Sequence, residues 1–110
     1  MRIRINSVGL ELTPAIREYI EIKIGSLSRF LKKFESKGEV EVFVEIARTT
    51  KHHHQGDIFC AEASFSLGKK VFWVEDLDEN IRMAIDKMKD KLRQEINKYK
   101  EMKIEKRRGK

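Results

Sequence analysis

The sequence predicts an α+β fold with the element order β-α-β-β-β-α, in which two helices pack on one face of a four-stranded, mainly antiparallel sheet. Apolar residues that alternate with polar ones mark the strands, and apolar residues three or four positions apart mark the helices. The carboxylates Glu41, Glu45 and Glu62 fall on one face of the strands, so that face is expected to meet water. The 110 residues are predicted to form a single domain over residues 1–102 and a basic tail over residues 103–110.

The first half of the chain is predicted to form a strand, a helix and a second strand. Ile3 and Ile5 alternate with polar residues, as in a half-buried strand. Thr13 and Pro14 suit the N-cap and the first position of a helix. One helical stripe then continues to the glycine at position 38. Its apolar members are Ile16, Ile20, Ile24, Leu27, Phe30, Leu31 and Phe34. A period of two over residues 40–46 predicts the next strand.

The second half is predicted to form two more strands and a long helix. A polar hairpin loop, Thr49–Gly56, leads into a strand with Phe59–Leu67. A short fourth strand, Val71–Val74, is apolar on both faces, which leaves its inward face open. Residues 75–79 are interpreted as the acidic start of the last helix, which the dipole favours. That helix is expected from about residue 80 to about residue 102.

The distribution of charge points to a polyanionic partner. The formal net charge is +6. Residues 35–79 carry five basic and ten acidic side chains, whereas residues 80–110 carry twelve basic and five acidic ones. Such asymmetry is typical of a protein that presents one basic surface to a polyanion. The sequence has no signal-peptide pattern and no apolar run long enough for a membrane span, and it has a single cysteine, Cys60, so a cytoplasmic protein is expected.

The cations of the last helix border its apolar stripe on both sides. At 100° per residue, Lys87, Lys91 and Lys98 share one flank. The opposite flank carries Arg82, Lys89, Arg93 and Lys100. The first helix adds Arg17, Lys23, Arg29, Lys32 and Lys33. If the two helices lie side by side, their basic flanks meet along a groove that would neutralise phosphates. An ordinary solvated helix is the alternative interpretation, and the sequence leaves open which flank faces the groove.

No catalytic constellation is evident in the sequence, so a non-enzymatic protein is expected. Cys60 lies in a predicted strand without a histidine placed as its base. The run His52–His54 is interpreted as a polar loop tip, because a zinc site needs three or four convergent ligands. We expect no metal, no cofactor and no small-molecule substrate.

Three segments in order resemble the ribosome-associated inhibitor and hibernation-promoting factor family, also called sigma-54 modulation proteins, in its short form. They are Leu12–Tyr19, the hairpin Gly56–Leu67 with Gly68–Lys70, and Asp78–Lys100. The resemblance implies a fold like that of double-stranded-RNA-binding domains. It also implies a translation inhibitor that acts in stress or stationary phase by occupying the mRNA and tRNA channel of the small ribosomal subunit.

The resemblance also suggests which cations contact rRNA. Lys23 and Arg29 match basic positions of the family's first helix, and Lys91 and Lys98 match those of the second. Ser26 and Gln94 depart from the family pattern. The predicted rRNA-binding residues are Lys23, Arg29, Arg82, Lys87, Lys89, Lys91, Arg93 and Lys98. Because of the family match, the flank with Lys91 and Lys98 is favoured over the opposite one.

The predicted partner is therefore the small ribosomal subunit, with no membrane, and the protein is expected to be a monomer away from the ribosome. The alternative function is a regulatory protein-binding module that acts on a transcription factor, with the acidic sheet meeting a basic partner. The two hypotheses differ in which surface matters, the basic helices or the acidic sheet.

Overall fold

A computed structural model describes residues 1–35, 38–49 and 58–108, with side chains through position 103. Its elements follow the predicted β-α-β-β-β-α order, with one addition in the first helical region. Along the chain they are β1 (Arg2–Val8), α1 (Pro14–Gly25), α2 (Ser28–Leu31), β2 (Glu41–Thr49), β3 (Ile58–Leu67), β4 (Lys70–Asp78) and α3 (Ile81–Arg108). The predicted α+β class is confirmed. The predicted hairpin loop and the histidine run lie mostly outside the described residues, at positions 50–57.

The sheet is mixed, because its first strand pairs in parallel. The strand order is β1-β2-β3-β4. Strand β1 runs parallel to β2, whereas β2–β3 and β3–β4 are antiparallel pairs. The parallel pair follows from the α1 crossover, since a parallel connection needs an intervening element that returns the chain to the same end of the sheet. The likeness to double-stranded-RNA-binding domains stays a prediction.

The single helix predicted after Pro14 is broken after Gly25. Its start is as expected, because the Thr13 hydroxyl oxygen accepts a hydrogen bond from the Ile16 N–H at 3.2 Å. At the other end the Ser26 hydroxyl donates to the Lys23 carbonyl at 2.6 Å. The Leu27 N–H then bonds the carbonyl three residues back, so a tight turn re-aims the chain into α2. The apolar periodicity continued across this turn, so the sequence did not reveal the break.

The prediction that residues 75–79 begin the last helix was wrong. Strand β4 continues to Asp78, and Glu62 and Ala61 of β3 pair with Glu75 and Asp76. Helix α3 begins only after Asn80, whose side-chain oxygen accepts hydrogen bonds from the N–H groups of residues 82 and 83 at 2.9 and 3.2 Å. Carboxylates suit an exposed strand edge as well as a helix start, so their charge did not distinguish the two.

Helix α3 is also longer than predicted, since its backbone is helical to Arg108 rather than ending near residue 102. It lies across β3 and β4, while α1 lies beside it on the same face of the sheet. Ile85, Met88, Leu92 and Ile96 of α3 are almost completely buried. They face the inward side chains of the strands, so the predicted two-layer core is confirmed.

The inward face of β4, which the sequence left open, is set by Phe72. Its ring stacks on Phe65 of β3 at a centroid distance of 4.6 Å and meets Tyr99 of α3 edge-on at 5.4 Å. Trp73 therefore points to the opposite face and is 58% exposed. Among the described residues, no helix is both long and apolar enough to span a membrane.

Candidate nucleic-acid interface

On the helical side of the protein, α1–α2 and α3 lie side by side, and the line along which they meet is here termed the groove. Tyr19 of α1 donates a hydrogen bond from its hydroxyl to Asp86 Oδ1 of α3 at 2.7 Å. The Lys23 Nζ atom lies 3.4 Å from the same oxygen. Farther along, Phe30 of α2 lies beside Lys100 of α3. The two helical segments therefore lie side by side and run in the same direction, with the flank of α3 that carries Arg82 and Lys100 facing α1–α2.

Each aromatic ring of the groove lies beside two cations, one from each helical segment. The Tyr19 ring has the Lys23 Nζ atom 5.3 Å and the Arg82 guanidinium 5.5 Å from its centroid. Distances of this size are those of cation–π contacts. The second ring, Phe30, has a guanidinium at 4.8 Å and an ammonium at 5.3 Å. These belong to Arg29 and Lys100.

The pKa values of the groove side chains are shifted by their charged neighbours and by burial. Burial lowers the pKa of the Lys100 ammonium, and repulsion from Lys33 lowers it further. At the other end, attraction to Asp86 raises the pKa of the Lys23 ammonium, and the hydrogen bond to Asp86 raises the pKa of the Tyr19 hydroxyl. Near Lys100 the ammonium groups of Lys33 and Lys100 therefore lie close enough to repel each other, and an incoming anion would relieve that repulsion.

Two further cations lie on the flank of α3 that carries Arg82 and Lys100, between those two residues. Lys89 and Arg93 fall at the angular position of Arg82 and Lys100 around the helix axis. Neither has an ion-pair partner within the described part of the chain. At 1.5 Å per residue, the cations from Arg82 to Lys100 span about 27 Å along α3. Over that length one strand of a duplex presents about eight phosphates.

The opposite flank of α3, which the sequence interpretation favoured, lies over the outer strand β4. There the Lys87 Nζ atom is 2.8 Å from an Asp78 carboxylate oxygen, and Lys91 Nζ is 3.2 Å from Asp76. Lys91 also donates to the Glu75 carbonyl at 2.9 Å. Two of the three cations on this flank are therefore already partnered within the fold.

The third cation of that flank, Lys98, is 70% exposed and lies 3.9 Å from Glu95 on its own helix. The structure thus brings together five of the predicted rRNA-binding residues and leaves three on the other side of α3. The groove group is Lys23, Arg29, Arg82, Lys89 and Arg93, and the outer group is Lys87, Lys91 and Lys98.

Sequence reasoning missed the roles of Tyr19, Phe30 and Asp86 in this groove. Tyr19 and Phe30 are both half-buried, whereas from the sequence only Phe30 was assigned to the apolar stripe and Tyr19 was given no role. At 100° per residue, Asp86 falls on the back of α3, away from its buried stripe, so a contact with α1 was not expected. A cation four residues before it, Arg82, and a tyrosine on the facing helix were the available signals, but they join only once the two helices are docked. Among the described residues, no group of three or more His, Cys, Asp or Glu side chains is placed to hold a metal ion.

Comparison with solved structures finds this two-layer architecture in other proteins. The crystal structure of the Thermus thermophilus Protein Y N-terminal domain superposes with a TM-score of 0.71 at 28% identity, covering 90% of this chain and 99% of that one. A ribosomal subunit interface protein from Coxiella burnetii gives a TM-score of 0.74, covering 91% of this chain and 98% of that one. Its identity of 18% supports similarity of fold alone.

The chain belongs to the Sigma 54 modulation protein / S30EA ribosomal protein family, whose model matches residues 3–104. Relatives named ribosome hibernation promotion factor occur in Lactococcus lactis and a Picosynechococcus strain, each 28% identical over 91% and 92% of this chain. The chain spans half the length of these two relatives. A ribosome hibernation promoting factor of Azotobacter vinelandii is 28% identical over 99% of this chain and 92% of its own length. The predicted family resemblance is confirmed.

Proposed function

We propose that this chain binds the small ribosomal subunit through the groove between α1–α2 and α3 and inhibits translation by filling the mRNA and tRNA channel. The observation that carries the proposal is the row of cations along that groove, two of which have no partner in the described fold. The names of its relatives add support, because they are hibernation factors. The mechanism needs no chemistry, only steric exclusion by a bound domain.

The groove provides two kinds of contact that suit folded RNA. Lys89 and Arg93 are available to neutralise phosphates and release their counterions. The rings of Tyr19 and Phe30, each flanked by cations, offer partly exposed faces beside the phosphate-binding side chains. The acidic face of the sheet would repel RNA, so binding by the helical side orients the domain.

The outer flank has a secondary place in this proposal. Lys87 and Lys91 would have to release Asp78 and Asp76 before they could pair with phosphate. A lysine that gives up an ion pair within the protein to form one with phosphate gains less binding free energy than a cation that had no partner before binding. Lys98 is exposed and retains its place as a candidate contact at the end of the helix.

Sedimentation with purified small subunits tests the proposal directly. The protein should pellet with them at low salt and be displaced as salt rises, and an added mRNA fragment with initiator tRNA should compete for the site. Failure to pellet at any salt concentration would refute the proposal. The alternative of a module that acts on a transcription factor predicts the reverse mutational pattern, with carboxylate changes on the sheet decisive and lysine changes on α3 silent.

A further inference from the structure

The open face of the sheet carries a row of three carboxylates. Glu45 of β2 lies directly opposite Glu62 of β3, and Glu62 lies directly opposite Glu75 of β4. Neighbouring strands are about 4.8 Å apart, so the three side chains start within about 10 Å of one another. Like charges opposite each other on adjacent strands destabilise a sheet. The row therefore has a cost in folding free energy that a bound cation would reduce.

Within the described ranges, no cation forms a salt bridge with Glu45, Glu62 or Glu75. The arginines of β1 on the same face, Arg2 and Arg4, pair with Glu41 and Glu39 at the edge of the sheet. On β1 the row itself continues to the neutral Asn6, which is in register with Glu45. Three carboxylates thus lie side by side with no ion pair of their own, although Arg4 lines the same depression and the Trp73 side chain hydrogen-bonds Glu62.

The titration of the neighbouring groups reflects that negative field. Burial raises the pKa of the Glu62 carboxyl, and repulsion from Glu45 raises it further. Burial, followed by the charges of Glu75 and Glu62, raises the pKa of the Cys60 thiol to about 11. The part of each shift that comes from neighbouring carboxylates would be offset by an incoming cation, whereas the part due to burial would not.

Exposed aromatic and aliphatic side chains adjoin the carboxylate row. Phe43 and Trp73 are 50% and 58% exposed, and both are in register with Ser64, which lies between them. Because the Ser64 side chain is small, the surface between the two rings is lower than the rings themselves. A depression of about 450 Å³ extends from Phe43 and Ser64 to the carboxylates of Glu45 and Glu62. Arg4, which is ion-paired to Glu41, lies at its β1 side. Apolar walls beside carboxylates match the two parts of a lysine or arginine side chain, an apolar stem and a charged end.

We propose that the open sheet face is a second docking surface, which takes an extended, basic protein segment. Its lysine or arginine ends would pair with Glu45, Glu62 and Glu75, and its apolar stems would cover Phe43 and Trp73. Charge complementarity selects this occupant, because an RNA strand or an anionic lipid surface would be repelled. The helical groove lies on the other side of the sheet, so both surfaces can be occupied together.

Trp73 makes the proposal directly measurable, because it is the only tryptophan of the sequence. The whole chain would be titrated with a short synthetic peptide of alternating arginine and serine, and the tryptophan emission followed. We expect a saturable change in emission. The protein's net charge of +6 excludes general attraction of such a peptide.

A pair of matched variants tests whether the carboxylate row is responsible. Glu45→Gln with Glu75→Gln should weaken peptide binding by about tenfold or more, since two ion pairs at an apolar surface are lost. Glu18→Gln with Glu21→Gln removes the same charge from exposed positions of α1 and should leave the affinity within about twofold. The sheet variant should fold at least as stably as the parent, because repulsion is relieved, and thermal melting would verify this.

Each other outcome overturns the proposal. If the parent protein gives no saturable emission change, the docking surface does not exist. If the two variants lose equal peptide affinity, the binding depends on net charge and not on the carboxylate row. Emission that changes with protein concentration alone, with a dimer in light scattering, would assign the face to a second copy of the chain. Pelleting of the sheet variant with small subunits is a separate readout, so failure here is distinguishable from failure of the proposed function.

Discussion

The assignment of the groove flank can be tested by two double variants of α3. Lys89→Gln with Arg93→Gln removes two cations from the groove side, and Lys87→Gln with Lys91→Gln removes two from the outer side. In each pair the positions are four residues apart and lie on one flank, and each variant lowers the net charge by the same amount. The comparison therefore isolates position and pairing from total charge.

The expected magnitudes differ because the two pairs differ in their partners. A hydrogen bond to a charged group contributes about 1.5 kcal/mol at the low end of its range, so loss of two such contacts weakens ribosome binding by about 3 kcal/mol, or roughly a hundredfold. The slope of log affinity against log salt should fall in magnitude by about 1.4–1.8. For Lys87 and Lys91, which pair with Asp78 and Asp76, only longer-range attraction is lost, and binding should stay within about fivefold.

The assay is pelleting with purified small subunits over a series of salt concentrations. Circular dichroism and thermal melting provide the folding control, and the outer variant should melt slightly lower because its ion pairs to β4 are lost. If the outer variant loses as much affinity as the groove variant or more, the groove assignment is wrong and the flank favoured by family resemblance is the binding side.

Three further predictions concern single side chains. Leu92→Ala should lower the free energy of unfolding by about 2–5 kcal/mol in urea titrations, because Leu92 is 1% exposed in the core, and a loss below about 1 kcal/mol would contradict that placement. Asp86→Asn should lower the pKa of Tyr19 towards its ordinary value, since the hydrogen bond to the carboxylate raises it, and an unchanged ultraviolet titration of tyrosine would mean that this bond is absent. Glu62→Gln should raise the melting temperature near neutral pH and give no gain in acid. The pKa of Glu62 is higher in the fold than in the unfolded chain, so its contribution to stability is present at low pH and lost as pH rises through the folded value. Melting curves of parent and variant at both pH values check the sign, and equal gains at both would refute the electrostatic cause.

Much of the fold could be read from local patterns. The inward residues of β2, among them Val42, Val44 and Ile46, are the ones that a period of two selects, and they are almost completely buried. The stripe of α3 is likewise buried where a period of 3.6 places it. Such patterns are reliable because burial of one face is the main contribution to stability and fixes which side chains point inward.

The ends of the helices and strands were harder to predict where the same residues suit both a strand and a helix. Asp76 and Asp78 fit an acidic helix start, yet they end strand β4. The pairing of β4 with β3 decided this, because main-chain hydrogen bonds to a neighbouring strand outweigh the small dipole term of a few carboxylates. The break after Gly25 had a similar cause, since packing of α2 against α3 requires a turn that apolar spacing alone does not report.

For the candidate site, the sequence by itself determined that cations border the buried stripe of α3 on two flanks and that carboxylates occupy the open face of the sheet. Only the tertiary structure decided which flank lies in the groove, because that depends on the side of α3 against which α1 packs. The same docking joins Asp86 to Tyr19, and the extension of β4 places Asp78 beside Lys87. These contacts connect residues far apart in the chain. The helical period determines the direction of each side chain around the axis of its own helix, but it does not determine which other element lies in that direction.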